Sequence, residues 1–196
     1  MVVVGNIGRY QEFAMEINER CAGGFGKGMA AGLAAGLIGT IVMSSFQSAW
    51  GAASKALKDG KSGEGAKDEQ QQQASQNESE DATMKAAGKI ASISGKELSH
   101  EQKKQLGPVV HYSFGTLQGG LYGTILELTG CRGGILAGLA FGAALFVAAD
   151  EIGVPAAGLS GKPTESPLSS HLYGLAAHLV YGVSTEIARL GLKSSF

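Results

Sequence analysis

Long stretches without charge are the feature that most limits what this chain can fold into. Residues 28–54 contain no Asp, Glu, Lys or Arg, and three similar stretches occupy the second half of the chain. A helix needs about 20 mainly apolar residues to cross the hydrocarbon core of a membrane. We therefore predict an all-α integral membrane bundle of four transmembrane helices, at residues 28–54, 109–129, 133–149 and 168–190.

The other segments differ from these spans in composition. Residues 1–22 carry Ile7, Tyr10, Phe13 and Ile17 at helical spacing with acidic residues between them, which predicts an amphipathic N-terminal helix. Residues 55–106 hold most of the charges and a glutamine run, which predicts a disordered polar loop, with a short helix near 99–106. Between and after them, residues 23–54 hold the first span and residues 107–196 hold the other three.

Basic residues set the predicted orientation, because cytoplasmic loops carry an excess of Lys and Arg. Those at one side of the predicted spans are Arg9, Arg20, Lys27, Arg132, Arg189 and Lys193. This pattern predicts that both termini are cytoplasmic. Lys55, Lys58 and Lys61 lie on the predicted outer side and oppose that orientation.

The chain repeats itself. AGLAAG at residues 31–36 recurs as AGLAFG at 137–142, and YGTILE at 122–127 recurs as YGVSTE at 181–186. The matches occur in the same order at equivalent places in the spans. They predict two copies of a helical hairpin, related as parallel repeats with the pseudo-two-fold axis along the membrane normal.

Glycines recur every four residues within the spans, and residues four apart share one face of a helix. Such a face lets another backbone approach closely, which is how helices pack in lipid. The glycines that we predict to pack helices are Gly28, Gly32 and Gly36, then Gly115, Gly119 and Gly123, then Gly134, Gly138 and Gly142, and finally Gly174 and Gly182.

Composition excludes several classes of function. The net charge is −1, so the chain lacks the basic footprint of a nucleic-acid-binding protein. No spacing of residues matches a catalytic or metal-binding motif, so we predict no enzyme, no cofactor and no metal. The predicted partners are membrane lipids and either further copies of the chain or another membrane protein.

The sequence HLVYGVSTEIAR, at residues 178–189, resembles the bacterial inner-membrane family typified by YagU. The segment GLSGKP from residue 158 is similar to a segment at the same place in that family. The resemblance covers mainly residues 130–192. It implies a location in the bacterial inner membrane and implies no activity, cofactor or catalytic residue.

Eight polar residues in or beside the spans are candidates for function. Counting helix rise from the start of each span, we predict Glu127 and Glu186 at the inner edge of the membrane and His178 and Gln118 near its midplane. Glu186 is one turn from Arg189 and is predicted to pair with it. The other four are predicted near the outer surface: His111, His171, Asp150 and Glu151.

Three functions remain open at this point. We favour a structural or interaction role through the glycine-lined faces, without enzyme chemistry. The first alternative is a protein that handles protons or ions through His178, Glu127 and Glu186. The second is bis-histidine haem binding, by His111 with either His171 or His178.

Overall fold

The fold is a bundle of helices. The computed structural model describes residues 4–59, 80–131 and 133–193, with side chains described for 25–56, 80–131 and 133–193. Their helices are α1 (Val4–Asp59), α2 (Ala82–Ile93), α3 (His100–Thr129), α4 (Ile135–Ala156) and α5 (Leu168–Lys193). Within α4, the α-helical turns of Ile135–Leu145 give way to a π-helical stretch at Phe146–Gly153. The described ranges contain no strand, so the all-α prediction is confirmed.

Two segments are long and apolar enough to cross a membrane. They are Phe25–Ala56 within α1 and Ile135–Ala156, which is α4. The other two predicted spans lie within α3 and α5, which are less apolar because Gly, Tyr, Thr and His occupy their inner faces. Two of the four predicted spans are thus helices of a length and composition that could cross a membrane.

In each hairpin, glycines of one helix lie directly against the backbone of the other helix. A Cβ atom built on Gly28 would lie 2.8 Å from the carbonyl oxygen of Gly123, and one on Gly36 would lie 2.7 Å from that of Gly115. Between α4 and α5, a Cβ on Gly138 would lie 2.7 Å from the carbonyl oxygen of Gly182. The α1–α3 and α4–α5 pairs are therefore antiparallel hairpins whose backbones touch, as the glycine rows predict.

If the two hairpins packed as the sequence repeat implies, equivalent residues would meet in both. Instead, the contacts between α4 and α5 are shifted by one helical turn from those between α1 and α3. By the matched motifs, Gly138 corresponds to Gly32 and His178 corresponds to Gly119. Gly32 packs on Gly119, yet Gly138 packs on Gly182 and lies one turn away from His178. A row of glycines at every fourth position looks the same after a slip of four residues, so the sequence leaves this register open.

Helix α1 lies at the centre of the bundle, because it packs along both α3 and α5. Gly39 faces α5 beside Tyr181, and Trp50 lies 5.9 Å from Tyr173 between ring centroids. These contacts run in opposite order along α1 and α5, so the two helices are antiparallel. Helices α1 and α4 therefore point one way, while α3 and α5 point the other. This is the predicted parallel arrangement of the repeats. The packing is not symmetric, however: within the described ranges α3 meets α4 through the stacked rings of Tyr122 and Phe141, 4.2 Å apart, and less extensively than α1 meets α5.

The polar segment 55–106 contains a helix that we did not expect. The Asp81 side chain accepts a hydrogen bond from the Met84 amide at 2.8 Å and begins α2, which packs on α3 where a Cβ on Gly107 would meet Met84. The predicted helix near residue 99 is present and continues into the second span, starting from a capping box of Ser99 and Gln102. Residues 60–79 lie outside the described part of the chain.

The N-terminal segment is continuous with the first span, since α1 runs from Val4 to Asp59 without a break. We expected a separate amphipathic helix at residues 1–22. The side chains that define its apolar face lie outside the described residues, so its amphipathic character stays a prediction.

The structure corrects one member of the predicted glycine rows. Helix α4 starts at Ile135, and Gly134 precedes it with φ of 114°. A Cβ on Gly134 would meet no atom within 4 Å, so this glycine packs against no helix. Instead its amide donates to Glu186 Oε1 at 2.6 Å. Gly134 has a positive φ, which L side chains rarely adopt, so the packing row of α4 begins at Gly138, one turn later than predicted.

Candidate functional site: a cavity at one end of the bundle

A cavity of about 550 Å³ lies where the C-terminal halves of α1 and α4 meet the N-terminal halves of α3 and α5. Helix α2 closes one side of it with small residues. Most of the wall is apolar. The residues that line it include Met43, Ala82, Ala86, Val110, Phe114, Leu145 and Val154. Its volume falls within the roughly 300–1,000 Å³ usual for small-molecule sites.

Four of the eight candidate polar residues line this cavity together: His111, Gln118, Asp150 and His178. From depth alone, we placed two of them near the midplane and two near the outer surface. They meet because α3 and α5 present their N-terminal halves to the C-terminal half of α4, where Asp150 lies. The cavity is therefore the candidate functional site.

Asp150 and His178 form its ionisable centre. His178 Nδ1 lies 2.9 Å from the carbonyl oxygen of Gly174 and 3.5 Å from Asp150 Oδ2. A carbonyl oxygen can only accept a hydrogen bond, so Nδ1 carries a proton and donates it to Gly174, which leaves Nε2 as an acceptor in the neutral ring. Asp150 lies in the π-helical part of α4, a local structure that is frequent at functional sites.

Burial differs sharply between these two side chains. The His178 side chain is 9% exposed, whereas that of Asp150 is 43% exposed. The carboxylate thus reaches the open part of the cavity, and His178 lies behind it. On the α3 side, His111 Nε2 is buried and finds no hydrogen-bond partner among the described residues. A buried polar atom without a partner is costly to the fold.

His171 and Glu151 pair with each other away from the cavity. His171 Nδ1 lies 2.6 Å from Glu151 Oε1, and its Nε2 lies 3.0 Å from the carbonyl oxygen of Pro163. Both ring nitrogens therefore face acceptors, an arrangement that favours a proton on each of them. The pair joins the end of α4 to the start of α5, and neither residue lines the cavity.

The two candidate glutamates lie at the opposite end of the bundle, and each has a cation. Lys193 Nζ donates to Glu127 Oε2 at 2.7 Å. Arg189 donates to both carboxylate oxygens of Glu186, at 2.8 and 2.9 Å, and these two side chains are 3% and 0% exposed. The predicted pairing of Glu186 with Arg189 is confirmed. Neither glutamate shares the cavity with His178.

Tyr181 is a residue of the site that we did not single out for function. Its hydroxyl donates to the carbonyl oxygen of Gly115 at 2.6 Å, and its side chain is 2% exposed at the floor of the cavity. In the sequence it stood out as part of the repeated YG motif. Its partner Gly115 lies on another helix, so no spacing along the chain indicates the bond.

The chemistry of the lining limits what the cavity can hold. The described residues contain no group of three or more His, Cys, Asp or Glu side chains placed to bind a metal ion. Of the two histidine pairs considered for haem, His111 and His178 line the same cavity, while both nitrogens of His171 are engaged. Among the described lining residues there is no Lys or Arg to pair with haem propionates, and Asp150 would repel them.

Comparisons of this chain with protein-family models, with curated proteins and with solved structures return no match.

Proposed function

We propose that this chain is a non-enzymatic integral membrane protein that crosses the bacterial inner membrane four times, with both termini in the cytoplasm. Its role in this proposal is structural or interaction-based. The resemblance to the family typified by YagU supports the location. The two apolar helices of spanning length support insertion into a membrane.

The observation that carries the proposal is the distribution of side chains. The tight contacts inside the bundle are made by glycine, alanine and threonine, while large aliphatic side chains face outward. On α3, Leu117, Leu121 and Leu128 are 61%, 55% and 55% exposed and follow one another along one face. Water would penalise such a face, whereas lipid accommodates it. The apolar stripe therefore supports a lipid-facing position for α3 as well as for α1 and α4.

The glycine rows act inside the chain in this proposal. Because they are occupied by the partner helix of each hairpin, they are not free to bind another molecule. Contacts with lipids, with a second copy or with another membrane protein would fall to the outward aliphatic faces, such as the one that carries Leu136 at 81% exposure.

Cysteine labelling in intact bacteria tests the number of crossings. Cys131 lies exposed between α3 and α4, and Ser160 lies exposed between α4 and α5. Starting from a Cys21→Ser chain, a membrane-impermeant maleimide should fail to label Cys131 until the cells are permeabilised. In the double variant C131S and S160C, the new thiol should be labelled in intact cells.

The opposite labelling pattern would contradict the proposal. If only α1 and α4 cross the membrane, Cys131 becomes external and position 160 becomes internal, while the C-terminus stays in the cytoplasm. Extraction of the chain from membranes by alkaline carbonate, without detergent, would contradict insertion altogether.

A second candidate function is proton handling, and the contact of Asp150 with His178 in the cavity favours it. Because Glu127 and Glu186 are paired with cations at the far end, we restrict the candidate groups to Asp150, His178 and His111. Proteoliposomes that enclose a pH-sensitive dye would show proton flux that Asp150→Asn abolishes. Flux equal to that of empty vesicles rules this candidate out.

A further inference from the structure

We propose that the cavity binds an amphiphilic organic cation, with the cationic group against Asp150 and the apolar body between α1, α2 and α3. The inference adds a ligand to the membrane protein proposed above. It depends on the cavity and not on the number of membrane crossings.

Size and surface select a small apolar molecule. The volume of about 550 Å³ suits a compound of drug size. Most of the lining is apolar and includes Met43, Ala86, Val110 and Phe114, with a smaller polar share from Thr40, Gln47, Thr83 and Gln118. An apolar body is therefore favoured over a sugar or a nucleotide, whose polar groups would remain unpaired.

Charge selects a cation. Asp150 is the sole acidic side chain among the described lining residues, and no Lys or Arg accompanies it there. His178, its nearest ionisable neighbour, uses its Nδ1 proton on Gly174 and lies 3.5 Å away from the carboxylate. The carboxylate is therefore left without a fixed counter-ion in an apolar cavity, where a cation is attracted and an anion is repelled more strongly than in water.

The position of Asp150 fits this role. The carboxylate is 43% exposed, so a ligand can reach it, whereas the paired carboxylate of Glu186 at the other end is fully buried.

Tetraphenylphosphonium and tetraphenylborate provide a matched pair of probes, since they have nearly the same shape and opposite charge. Binding of radiolabelled tetraphenylphosphonium to the purified full chain in detergent would be measured by equilibrium dialysis. We expect saturable binding of tetraphenylphosphonium and none of tetraphenylborate, with each ion measured alone because the two precipitate together. Asp150→Asn should weaken the binding by about tenfold or more, the scale of losing one charge partner.

Glu151→Gln is the control, because it removes the same charge one residue away, from a side chain that pairs with His171 outside the cavity. It should leave the affinity within about twofold of the unmodified chain, as expected for a screened charge at greater distance. Ala149→Phe fills the cavity while keeping Asp150, and it should abolish binding. Helicity and a single elution peak establish that each variant is folded.

Three results with the unmodified chain and Asp150→Asn would overturn the inference. They are absence of saturable tetraphenylphosphonium binding to the unmodified chain, equal affinity in the Asp150→Asn chain, and saturable binding of tetraphenylborate, measured alone, with the same affinity as the cation. A loss of affinity in Glu151→Gln equal to that in Asp150→Asn would also contradict it, because the effect would then be one of net charge. None of these results bears on the labelling pattern that tests the proposed topology.

Discussion

Replacing Gly119 by alanine tests whether backbone contact between α1 and α3 holds the first hairpin together. A Cβ atom at this position would come closest to the Cα atom of Gly36 and would lie 2.6 Å from the carbonyl oxygen of Gly32. Both atoms belong to the backbone of a helix and cannot move aside as a flexible side chain would. The substitution must therefore push the two helices apart.

The size of the effect follows from these distances. Ordinary contact begins at 3.4 Å, so relief of the 2.6 Å approach needs a shift of about 0.8 Å. A gap of about 0.5–1 Å forfeits a quarter to a half of the dispersion energy at each affected contact. Overpacking of this kind costs about 1–3 kcal/mol, and alanine returns about 0.5–1 kcal/mol through helix propensity. We expect a net destabilisation of up to about 2.5 kcal/mol for Gly119→Ala.

Gly51→Ala is the matched control, since a Cβ at Gly51 would meet nothing within 4 Å. It should be neutral or stabilising by about 0.5–1 kcal/mol. Unfolding in mixed micelles of mild detergent and SDS can be followed by far-UV circular dichroism and by Trp50, the single tryptophan, which lies beside Tyr173 of α5. Equal stability of the two variants would refute the backbone contact.

Two further predictions concern the ends of the bundle. Arg189→Met should destabilise the fold by about 3 kcal/mol or more in the same SDS titration, because it leaves the buried Glu186 without its cation. Lys193→Met removes an exposed partner and should cost less than about 1 kcal/mol. Equal losses of stability in the two variants would contradict this prediction. The hydrogen bond from Lys103 lowers the pKa of Glu80 below its ordinary 4.5, so the docking of α2 gains stability above that pH and loses it as the pH falls. Amide hydrogen exchange in α2, corrected for the intrinsic rate, should accelerate on acidification, and Glu80→Gln should remove most of that pH dependence.

Much of the fold could be predicted from the sequence, because charge-free length and a glycine period are local signals. The helices over the four predicted spans and the pairing of Glu186 with Arg189 follow from residues close together in the chain, and the antiparallel hairpins follow from the repeated glycine rows. Helix α2 did not follow, because its stability comes from Asp81 capping its first turn and from packing on Gly107 of α3. The polar run before α2 led us to predict disorder over α2 as well, although α2 contains alanines that allow one face of the helix to be buried.

The cavity was beyond prediction for a related reason. His111, Asp150 and His178 are each unremarkable in the sequence, and depth along separate helices put them at different levels. Their meeting depends on the register between α4 and α5, which the four-residue glycine period leaves undetermined by one turn. The loop before α4 favours the observed register between α4 and α5. Its Gly134 amide donates to Glu186, and both residues lie at the end of this pair that is far from the cavity.

The same glycine rows that close the hairpins also explain why a cavity forms where it does. Both rows end toward the same end of the bundle, after Gly36 on α1 and after Gly142 on α4. One turn further on, Thr40 and Phe146 carry side chains that lie against glycines of the partner helices. Glycine contact holds the backbones together up to that level, and side chains fill the space beyond it. A chain built this way has its tightest packing at the end that carries the buried Glu186–Arg189 pair. Its available volume lies at the end that carries Asp150, where a ligand can bind without separating the hairpins.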